Sequence, residues 1–301
     1  MKNKPLVSII MNCYNGENYL KESIQSVLNQ NYKNWELIFW DNKSQDNSKK
    51  FLKEFRDKRL KYYYAKKFTN LYTARNLAIK KARGEIITFL DVDDLWLSEK
   101  LTKQVSFFKK NKNAELLYSN FFNMKNFFGF TLESLKFKKI LPSGFITGHL
   151  LNSYCIAWIT VAMKKSLVKK KLFNEKLDMI SDFDFIINYS LKNKIFSIQE
   201  PLAKYRLHPN QLTRKNFFLQ SEQYLKWYKS HGVHTKLGKL KKSKKFLDRI
   251  IFFEKIVKYK KKKTLLPDIT NFFFKGEIKL ALKLLMFAIS PIFFIRLIAS
   301  V

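Results

Sequence analysis

The sequence is poor in the residues that crosslink or interrupt a chain. Among 301 residues there are two cysteines, Cys13 and Cys155, with only eight glycines and six prolines. Two isolated cysteines exclude a disulfide framework and a cysteine-based zinc cluster, and they favour a reducing compartment such as the cytoplasm. A short apolar run at positions 6–11 ends at Asn12 without a small-residue cleavage site, so we interpret it as a first strand and not as a signal peptide.

Acidic residues are also scarce. There are 24 Asp and Glu against 58 Lys and Arg, which gives a formal net charge of +34. Such an excess favours nucleic acid, an anionic membrane face or phosphate-bearing small molecules as partners. The abundance of Lys, Asn, Phe and Ile also fits an AT-rich coding sequence, so the charge alone does not choose among these classes. The apolar share of 46% is enough for a core, and the length fits one large domain with an appendage.

From position 6 to about 108, short apolar runs alternate with amphipathic segments, and a further strand is predicted just beyond. This alternation is typical of βαβ units on a largely parallel sheet, in which ligands bind at the carboxyl ends of the strands. The stretch 120–144 has no clean period and is predicted to be a variable loop region. The predicted strands are Val7–Met11, Glu36–Trp40, Lys61–Tyr64, Ile86–Leu90 and Leu116–Ser119, and the predicted helices are Glu17–Leu28, Leu71–Ala82 and Phe183–Leu191.

Three carboxylates, Asp91, Asp93 and Asp94, directly follow one of these strands. Carboxylates this crowded repel one another, and a hard divalent cation bound by oxygens would relieve the repulsion. The alternative is an acidic turn that caps the next helix, which is the commoner role of an isolated Asp-x-Asp. Polar segments also follow the first strand, at 14–16, and the second, at 41–46. We therefore expect three polar loops to converge on one edge of the sheet.

The order and spacing of these segments resemble those of the family 2 glycosyltransferases of the GT-A fold. The resemblance implies an α/β fold of the GT-A (Rossmann-like) type, with a mixed, mostly parallel sheet flanked by helices. It also implies inverting transfer from a nucleotide-sugar, with UDP-sugars favoured, and a divalent metal, Mn²⁺ or Mg²⁺. Two departures are Asn12, where proline is usual, and Asn42, which replaces a common second acid. The matching runs are Val7–Asn15, Trp40–Asp46 and Ala74–Asp94.

The same resemblance assigns residues to the donor. Tyr14 and Asp41 are implied to contact the nucleotide base, with Asp41 accepting a hydrogen bond from the base imide. Arg75 is implied to lie near the nucleotide. Asp91 and Asp93 would form the ribose and metal motif, with Asp93 as the metal ligand. The remaining members of the set are Cys13 and Asn15 for the nucleotide-sugar, and Asp94 and Trp96 for the acceptor or for support.

The segment 181–185 resembles the acceptor-side acidic segment of the family, with Ser181 in place of the usual Glu. Asp182 would be the general base, because inverting transfer needs a carboxylate that takes the proton of the attacking hydroxyl. On position alone, Asp182 is a helix N-cap instead. Asp184 could hold Asp182 or the acceptor in place, or face solvent.

The segment 205–209 and the nearby Thr213 resemble a family segment that returns to the active site. His208 could supply a neutral imidazole to the metal or a hydrogen-bond donor to the diphosphate, and Arg206 could neutralise phosphate charge. A single histidine is more often structural, so without the motif His208 would be given no catalytic role.

We predict two domains, with the GT-A domain at 1–215 and a basic, amphipathic helical region at 216–301. Lysine clusters at 236–245 and 258–263 flank a segment with helical spacing of apolar residues, which could lie on an anionic bilayer. The stretch 280–301 is apolar but is interrupted by charged residues and a proline, which favours an interfacial or re-entrant segment over a membrane span. The alternative is a helical pair packed on the catalytic domain.

The favoured function is a cytoplasmic glycosyltransferase at the inner face of the cell membrane. Its acceptor would be a glycan or a polyprenyl-diphosphate-linked sugar in surface polysaccharide synthesis, and no nucleic acid is expected as a partner. A non-enzymatic nucleic-acid-binding protein is a second hypothesis, which the charge supports but no groove-reading motif does. A sugar nucleotidyltransferase is a third hypothesis, but it should carry a glycine-rich basic loop that the segment 12–19 does not resemble.

Overall fold

The computed structural model describes residues 4–127, 130–168, 172–230, 244–262, 266–274 and 278–289. Contacts divide the chain into two compact units, of which the first comprises residues 1–146, 155–176 and 185–206, and the second comprises residues 147–154, 177–184 and 207–301. This division ends the first unit at the last strand of the sheet and assigns two earlier segments to the second unit. The boundary at 215/216 stays a prediction from sequence.

The first unit contains the nine strands. They are β1 (Val7–Cys13), β2 (Trp35–Asp41), β3 (Leu60–Tyr64), β4 (Ile86–Phe89), β5 (Leu95–Trp96), β6 (Leu116–Phe127), β7 (Phe130–Leu135), β8 (Ala162–Lys164) and β9 (Phe196–Arg206). Along the chain, the described α-helices are α1 (Glu17–Leu28), α2 (Ser48–Glu54), α3 (Leu71–Ile79), α4 (Lys100–Lys110), α5 (Thr147–Asn152), α6 (Ser181–Ser190), α7 (Leu212–Lys215), α8 (Phe217–Ser230), α9 (Lys244–Lys262), α10 (Leu266–Phe274) and α11 (Ile278–Ile289).

The strands form one mixed sheet in the order β3-β2-β1-β4-β8-β6-β9-β5, with β7 paired to β6. Strands β3, β2, β1 and β4 are parallel neighbours, whereas β8 runs antiparallel to both β4 and β6. Nearly every residue of β1, β2 and β4 is buried, which explains why these strands are continuous apolar runs. Cys13 pairs with Asp41 and Ile10 with Phe89, so these three strands end at one edge of the sheet. The predicted α/β fold of the GT-A type is confirmed.

The prediction of a variable loop at 120–144 is wrong for most of that stretch. Strand β6 continues to Phe127, and β7 pairs with it in an antiparallel hairpin. All six residues of β7 are exposed, and the alternation of apolar and polar residues from Phe130 to Glu133 breaks at Ser134, so only a brief period-2 signal marks the strand. Strand β6 also shifts register against β9 between Ser119 and Phe122, which breaks its periodicity.

A buried polar network holds the middle of the sheet together. The carboxylate of Glu36 accepts hydrogen bonds from the Ser8 hydroxyl at 2.7 Å and from the backbone N–H of Arg83 at 2.7 Å. The Ser8 hydroxyl accepts in turn from the N–H of Gly84 at 2.8 Å. A Cβ at Gly84 would lie 2.6 Å from the carbonyl oxygen of Leu6, so only glycine fits there. The network ties β1 and β2 to the turn before β4.

The second unit has a helical core of its own. The ring of Tyr224 in α8 stacks on Phe253 in α9 at 5.1 Å, and Phe217 lies 6.4 Å from Phe287 of α11. The apolar residues Phe246, Ile250, Phe253 and Ile256 of α9 are buried. The face of 246–257 that was predicted to lie on a bilayer is therefore covered by protein in this structure.

Several predictions for the C-terminal region cannot be compared with the structure. Residues 231–243, which hold most of the first lysine cluster, and residues 290–301 lie outside the described residues. Within the described segments, no helix is both long enough and apolar enough to cross a membrane. Association of 216–301 with a membrane surface stays a prediction.

Candidate active site

The loops after β1 and β2 interlock through hydrogen bonds. The N–H of Asn42 donates to the carbonyl of Cys13 at 2.8 Å, and the N–H of Asn15 donates to the Ser44 hydroxyl at 3.0 Å. In return, the N–H of Gln45 donates to the side-chain oxygen of Asn15 at 2.9 Å. Asn15 has a φ of 53°, a left-handed conformation that asparagine tolerates better than most residues. The two loops therefore fix each other's conformation.

The acidic loop after β4 joins the other two at Gly16. A Cβ on this glycine would lie 2.9 Å from a methyl group of Val92, so the loops approach as closely as glycine permits. The N–H of Glu17, at the start of α1, donates to the Asp46 carboxylate at 2.9 Å. Burial raises the pKa of Asp46, but hydrogen bonds from the Ser48 side chain and from backbone N–H groups outweigh it and lower that pKa. The predicted convergence of three polar loops is confirmed.

Asp41 lies at the carboxyl end of β2 and is 1% exposed. One of its oxygens accepts from the N–H of Ser44 at 2.7 Å, and the other accepts from the hydroxyl of Tyr62 at 2.8 Å. Burial and the hydrogen bond to Asp41 raise the pKa of Tyr62, so this hydroxyl stays a donor. Each carboxylate oxygen has a second lone pair, which leaves acceptor capacity for a base imide. The contact of Asp41 with a base stays a prediction.

An exposed aromatic pair, Tyr14 and Phe68, lies near the loop that follows Asp41. The ring of Tyr14, which is 51% exposed, lies 4.7 Å from the ring of Phe68, which is 57% exposed. Cys13, next to Tyr14, is buried, and burial raises the pKa of its thiol to about 11. The buried thiol packs in the core, and the contact of Cys13 with the nucleotide-sugar stays a prediction. Tyr14 is the accessible member of the predicted base site.

In the acidic loop, Asp91 is paired with an arginine from α3. A terminal nitrogen of Arg75 lies 2.5 Å from Oδ1 of Asp91, and the Arg75 side chain is 5% exposed against 34% for Asp91. The hydroxyl of Ser23 in α1 donates to the carbonyl of Asp91 at 3.3 Å. The predicted neighbours Arg75 and Asp91 are thus brought together, and Arg75 offsets one negative charge of the loop.

Asp94 is the buried member of the acidic loop and is 1% exposed. Its Oδ1 accepts from the backbone N–H of Arg206 at 2.8 Å, while its Oδ2 has no hydrogen-bond partner within the described part of the chain. Burial, followed by the charges of Asp93 and Asp91, raises the pKa of Asp94 well above its usual value. Asp94 therefore anchors the end of β9 to the loop, which supports the second of its two predicted roles.

Arg206 fastens the same loop with its side chain. Its Nε donates to the carbonyl of Asp93 at 2.8 Å, and a terminal nitrogen lies 2.7 Å from the Glu22 carboxylate of α1. The guanidinium lies 4.6 Å from the ring centre of Tyr19, and Arg206 is 3% exposed. This arrangement favours a positioning role for Arg206. Its neutralisation of phosphate stays a prediction.

Trp96 of β5 is 4% exposed and packs inside the sheet. Its indole N–H donates to the carbonyl of Ile159 at 3.2 Å, and the buried amine of Lys100 lies 4.4 Å from the ring centre. An acceptor sugar cannot reach a ring that is covered in this way. Of the two roles predicted for Trp96, the structure favours support.

Asp182, Asp184 and His208 belong to the second unit. Asp182 lies in the first turn of α6, where its carboxylate accepts from the N–H of Phe183 at 2.8 Å. The Asp184 carboxylate accepts from the indole N–H of Trp227 at 2.8 Å and is partly buried, and its role toward Asp182 or the acceptor stays a prediction. His208 is partly buried just after β9. The approach of these residues to the three loops stays a prediction.

The acidic loop could hold a divalent ion only together with the phosphates of a bound substrate. Among the described residues, no three His, Cys, Asp or Glu side chains come together as a metal site. Mg²⁺ is usually held by one or two carboxylates plus substrate phosphates, so such a cluster is not required. Asp93 is partly exposed and directly precedes Asp94 in the chain, so its carboxylate is a suitable one of that kind.

Comparison with known proteins identifies the family. The family model described as Glycosyl transferase family 2 matches residues 8–168, which include all three loops. The chain belongs to glycosyltransferase family 2. This glycosyltransferase is 34% identical over 214 residues to the Escherichia coli UDP-Glc:alpha-D-GlcNAc-diphosphoundecaprenol beta-1,3-glucosyltransferase WfgD, covering 70% of this chain and 81% of that protein.

Solved structures show the same fold. The structure of Staphylococcus aureus TarS 1-349 in complex with UDP-GlcNAc covers 96% of this chain and 89% of that one, with a TM-score of 0.63 and 20% identity. The mannosyltransferase PcManGT from Pyrobaculum calidifontis, in complex with GDP-Man and Mn²⁺, covers 99% of this chain and 86% of that one, with a TM-score of 0.59 and 14% identity.

Three residues around the site were missed from sequence. The first is Tyr62, which lies on the strand next to that of Asp41. Phe39 pairs with Tyr62 and lies two residues before Asp41, so Tyr62 and Asp41 share a face of the sheet, which only the strand register reveals. Glu22 is one of many charged residues on a helix surface, and nothing in the pattern distinguishes it. Phe68 lies in the loop between β3 and α3, where no periodic pattern distinguishes it.

Proposed function

We propose that this family 2 glycosyltransferase transfers a sugar from a UDP-sugar, with inversion, to a hydroxyl of a lipid-linked or glycan acceptor. The observation that carries the proposal is the interlocking of three loops at one sheet edge, with Asp41, the Arg75–Asp91 pair and Asp93 among their residues. UDP is favoured because WfgD is a UDP-Glc-dependent enzyme and TarS 1-349 forms a complex with UDP-GlcNAc.

In this proposal the first unit holds the donor. The exposed ring of Tyr14 stacks on the uracil, and Asp41 accepts a hydrogen bond from its imide. Asp93 holds a divalent ion together with the diphosphate, and the bound ion supplies neutralisation of the charge that develops on the leaving group. Asp91 contacts the ribose or the ion while Arg75 limits the repulsion within the loop.

Asp182 acts as the base in this proposal. Its carboxylate takes the proton of the acceptor hydroxyl while that oxygen attacks the anomeric carbon from the face opposite the leaving diphosphate. An aspartate of ordinary pKa suffices, since the hydroxyl becomes more acidic as the new bond forms. His208 would be a further ligand of the ion or a donor to the diphosphate.

The acceptor and the cellular location are also inferred. WfgD acts on alpha-D-GlcNAc-diphosphoundecaprenol, which supports a lipid-linked acceptor here. The net charge of +34 would hold the enzyme at the inner face of the membrane, where such an acceptor would be presented. Surface polysaccharide synthesis is the process that fits both features.

The test is a transfer assay with UDP-, GDP- and dTDP-sugars, with and without Mn²⁺ or Mg²⁺, on a polyprenyl-diphosphate-linked sugar. We expect turnover of a UDP-sugar that requires the metal. Asp182→Asn should lower kcat by about 10²- to 10⁴-fold, because general base catalysis typically contributes that much, and should leave UDP binding intact. The exposed Glu99→Gln is the matched control. Full transfer by Asp182→Asn, or turnover of GDP-sugars alone, would overturn the respective assignment.

A further inference from the structure

The hairpin of β6 and β7 has one face that combines exposed apolar and basic side chains. Opposite residues of an antiparallel pair share a face, and here Phe127 pairs with Phe130, Lys125 with Leu132 and Asn123 with Ser134. Phe130 is 75% exposed, Leu132 is 60% exposed, and Lys125 is exposed. We name the face that carries Asn123, Lys125, Phe130, Leu132 and Ser134 the Phe130 face.

The other face of the hairpin is different. It carries Met124, which is 3% exposed, and Glu133, which is the only acidic residue between positions 116 and 174. The Glu133 carboxylate is paired with the amine of Lys204 in β9 at 2.5 Å. The one negative charge of the hairpin therefore points away from the Phe130 face and is already compensated.

Basic and apolar exposure continues directly after β7. Lys138 and Lys139 are exposed, and Ile140 is 87% exposed. Exposed apolar residues scattered singly are ordinary on protein surfaces, whereas a group of them beside like charges marks an interaction site. The charge excludes a good fit to a second copy of the same surface, because lysines would then meet lysines.

We infer that the Phe130 face, together with Lys138, Lys139 and Ile140, docks on an anionic phospholipid surface. Aromatic and aliphatic side chains enter the boundary between headgroups and acyl chains, while neighbouring lysines attract anionic headgroups. The inference deepens the membrane contact of the proposed function and rests on it for its biological purpose. It assigns that contact to the first unit and not to residues 216–301.

The test is sedimentation of the full chain with phosphatidylcholine vesicles that contain or lack phosphatidylglycerol. Phe130→Ser/Leu132→Ser should weaken partitioning to the anionic vesicles at least about tenfold, since the variant lacks the two apolar side chains that enter the membrane. Lys138→Gln/Lys139→Gln should weaken it by about 25-fold, because each lysine near the surface contributes about fivefold. Leu135→Ser is the matched control, because Leu135 lies on the other face of the same strand.

Two measurements keep the outcomes distinct. Hydrolysis of a UDP-sugar in solution should be the same in the double variants and the native protein. If neither the native protein nor the variants hydrolyse it, the donor site is in question and not the docking face. Partitioning of Phe130→Ser/Leu132→Ser equal to that of the native chain would overturn the inference. A change in oligomeric state with unchanged partitioning would also overturn it, in favour of contact between copies.

Discussion

Replacing Arg206 by methionine distinguishes the two roles considered for this residue. Methionine keeps an apolar stem but removes the guanidinium, while the hydrogen bond from the backbone N–H of residue 206 to Asp94 remains possible. If Arg206 positions the acidic loop, the variant loses stability. If it neutralises phosphate, the variant instead loses affinity for the donor.

The contacts of the guanidinium set the expected magnitude. Its hydrogen bond to the Asp93 carbonyl contributes about 1.5 to 3 kcal/mol, as for other charged donors. The pair with Glu22, whose side chain is 59% exposed, contributes roughly 0 to 1 kcal/mol. The position over the Tyr19 ring adds about 0.5 to 1 kcal/mol. We therefore expect Arg206→Met to lower the free energy of unfolding by about 3 kcal/mol, or Tm by roughly 5 °C.

The assay is urea unfolding followed by measurement of kcat and KM for the donor. Glu22→Gln is the control, because it removes only the exposed ion pair and should cost at most about 1 kcal/mol. The reasoning would be refuted by an Arg206→Met protein of native stability whose KM for the donor is raised and is restored in Arg206→Lys. That result would assign Arg206 to the phosphate.

Three further predictions concern stability and the base site. Burial raises the pKa of Glu36, but hydrogen bonds from Ser8 and Arg83 outweigh burial and lower that pKa. Glu36→Gln should therefore lower the free energy of unfolding in urea by about 2 kcal/mol at neutral pH. This difference should fade as pH falls below 4.5, the usual pKa of a glutamate. Phe68→Ala should weaken UDP binding about three- to tenfold by calorimetry and leave Tm unchanged, because the exposed ring packs beside Tyr14. Burial lowers the pKa of Lys100 well below 10.5, so the unfolded chain binds a proton that the folded chain does not. The free energy of unfolding should therefore rise with pH up to about 10.5, and Lys100→Met should remove the contribution of this group in urea unfolding.

The sequence predicted the central strands well because each lies in an apolar environment on both faces. Strands β1, β2 and β4 are continuous apolar runs, and the polar loops that follow them were placed at the correct sheet edge. Asp91 and Arg75 were also assigned to one site before their ion pair was known. These features depend on burial and on local order along the chain, which a sequence pattern records.

Other features depend on which distant strands pair, and the sequence does not record that. Strand β9 lies between β6 and β5, and its end delivers Arg206 to Asp94, more than a hundred positions earlier in the chain. Trp96 was given a possible acceptor role because it follows the acidic loop, yet its pairing with β9 buries it. The β6–β7 hairpin escaped prediction because the alternation in β7 lasts only from Phe130 to Glu133 and the register shift breaks the period of β6.

The central claim is that the acidic loop holds a nucleoside diphosphate through a divalent ion at Asp93. Calorimetric titration of UDP, with and without Mn²⁺, tests it most directly in the native protein and in Asp93→Asn. We expect Mn²⁺ to tighten UDP binding to the native protein at least about tenfold and to have no such effect on Asp93→Asn, because the carboxylate that holds the ion is gone. Equal affinity in all four titrations would contradict it.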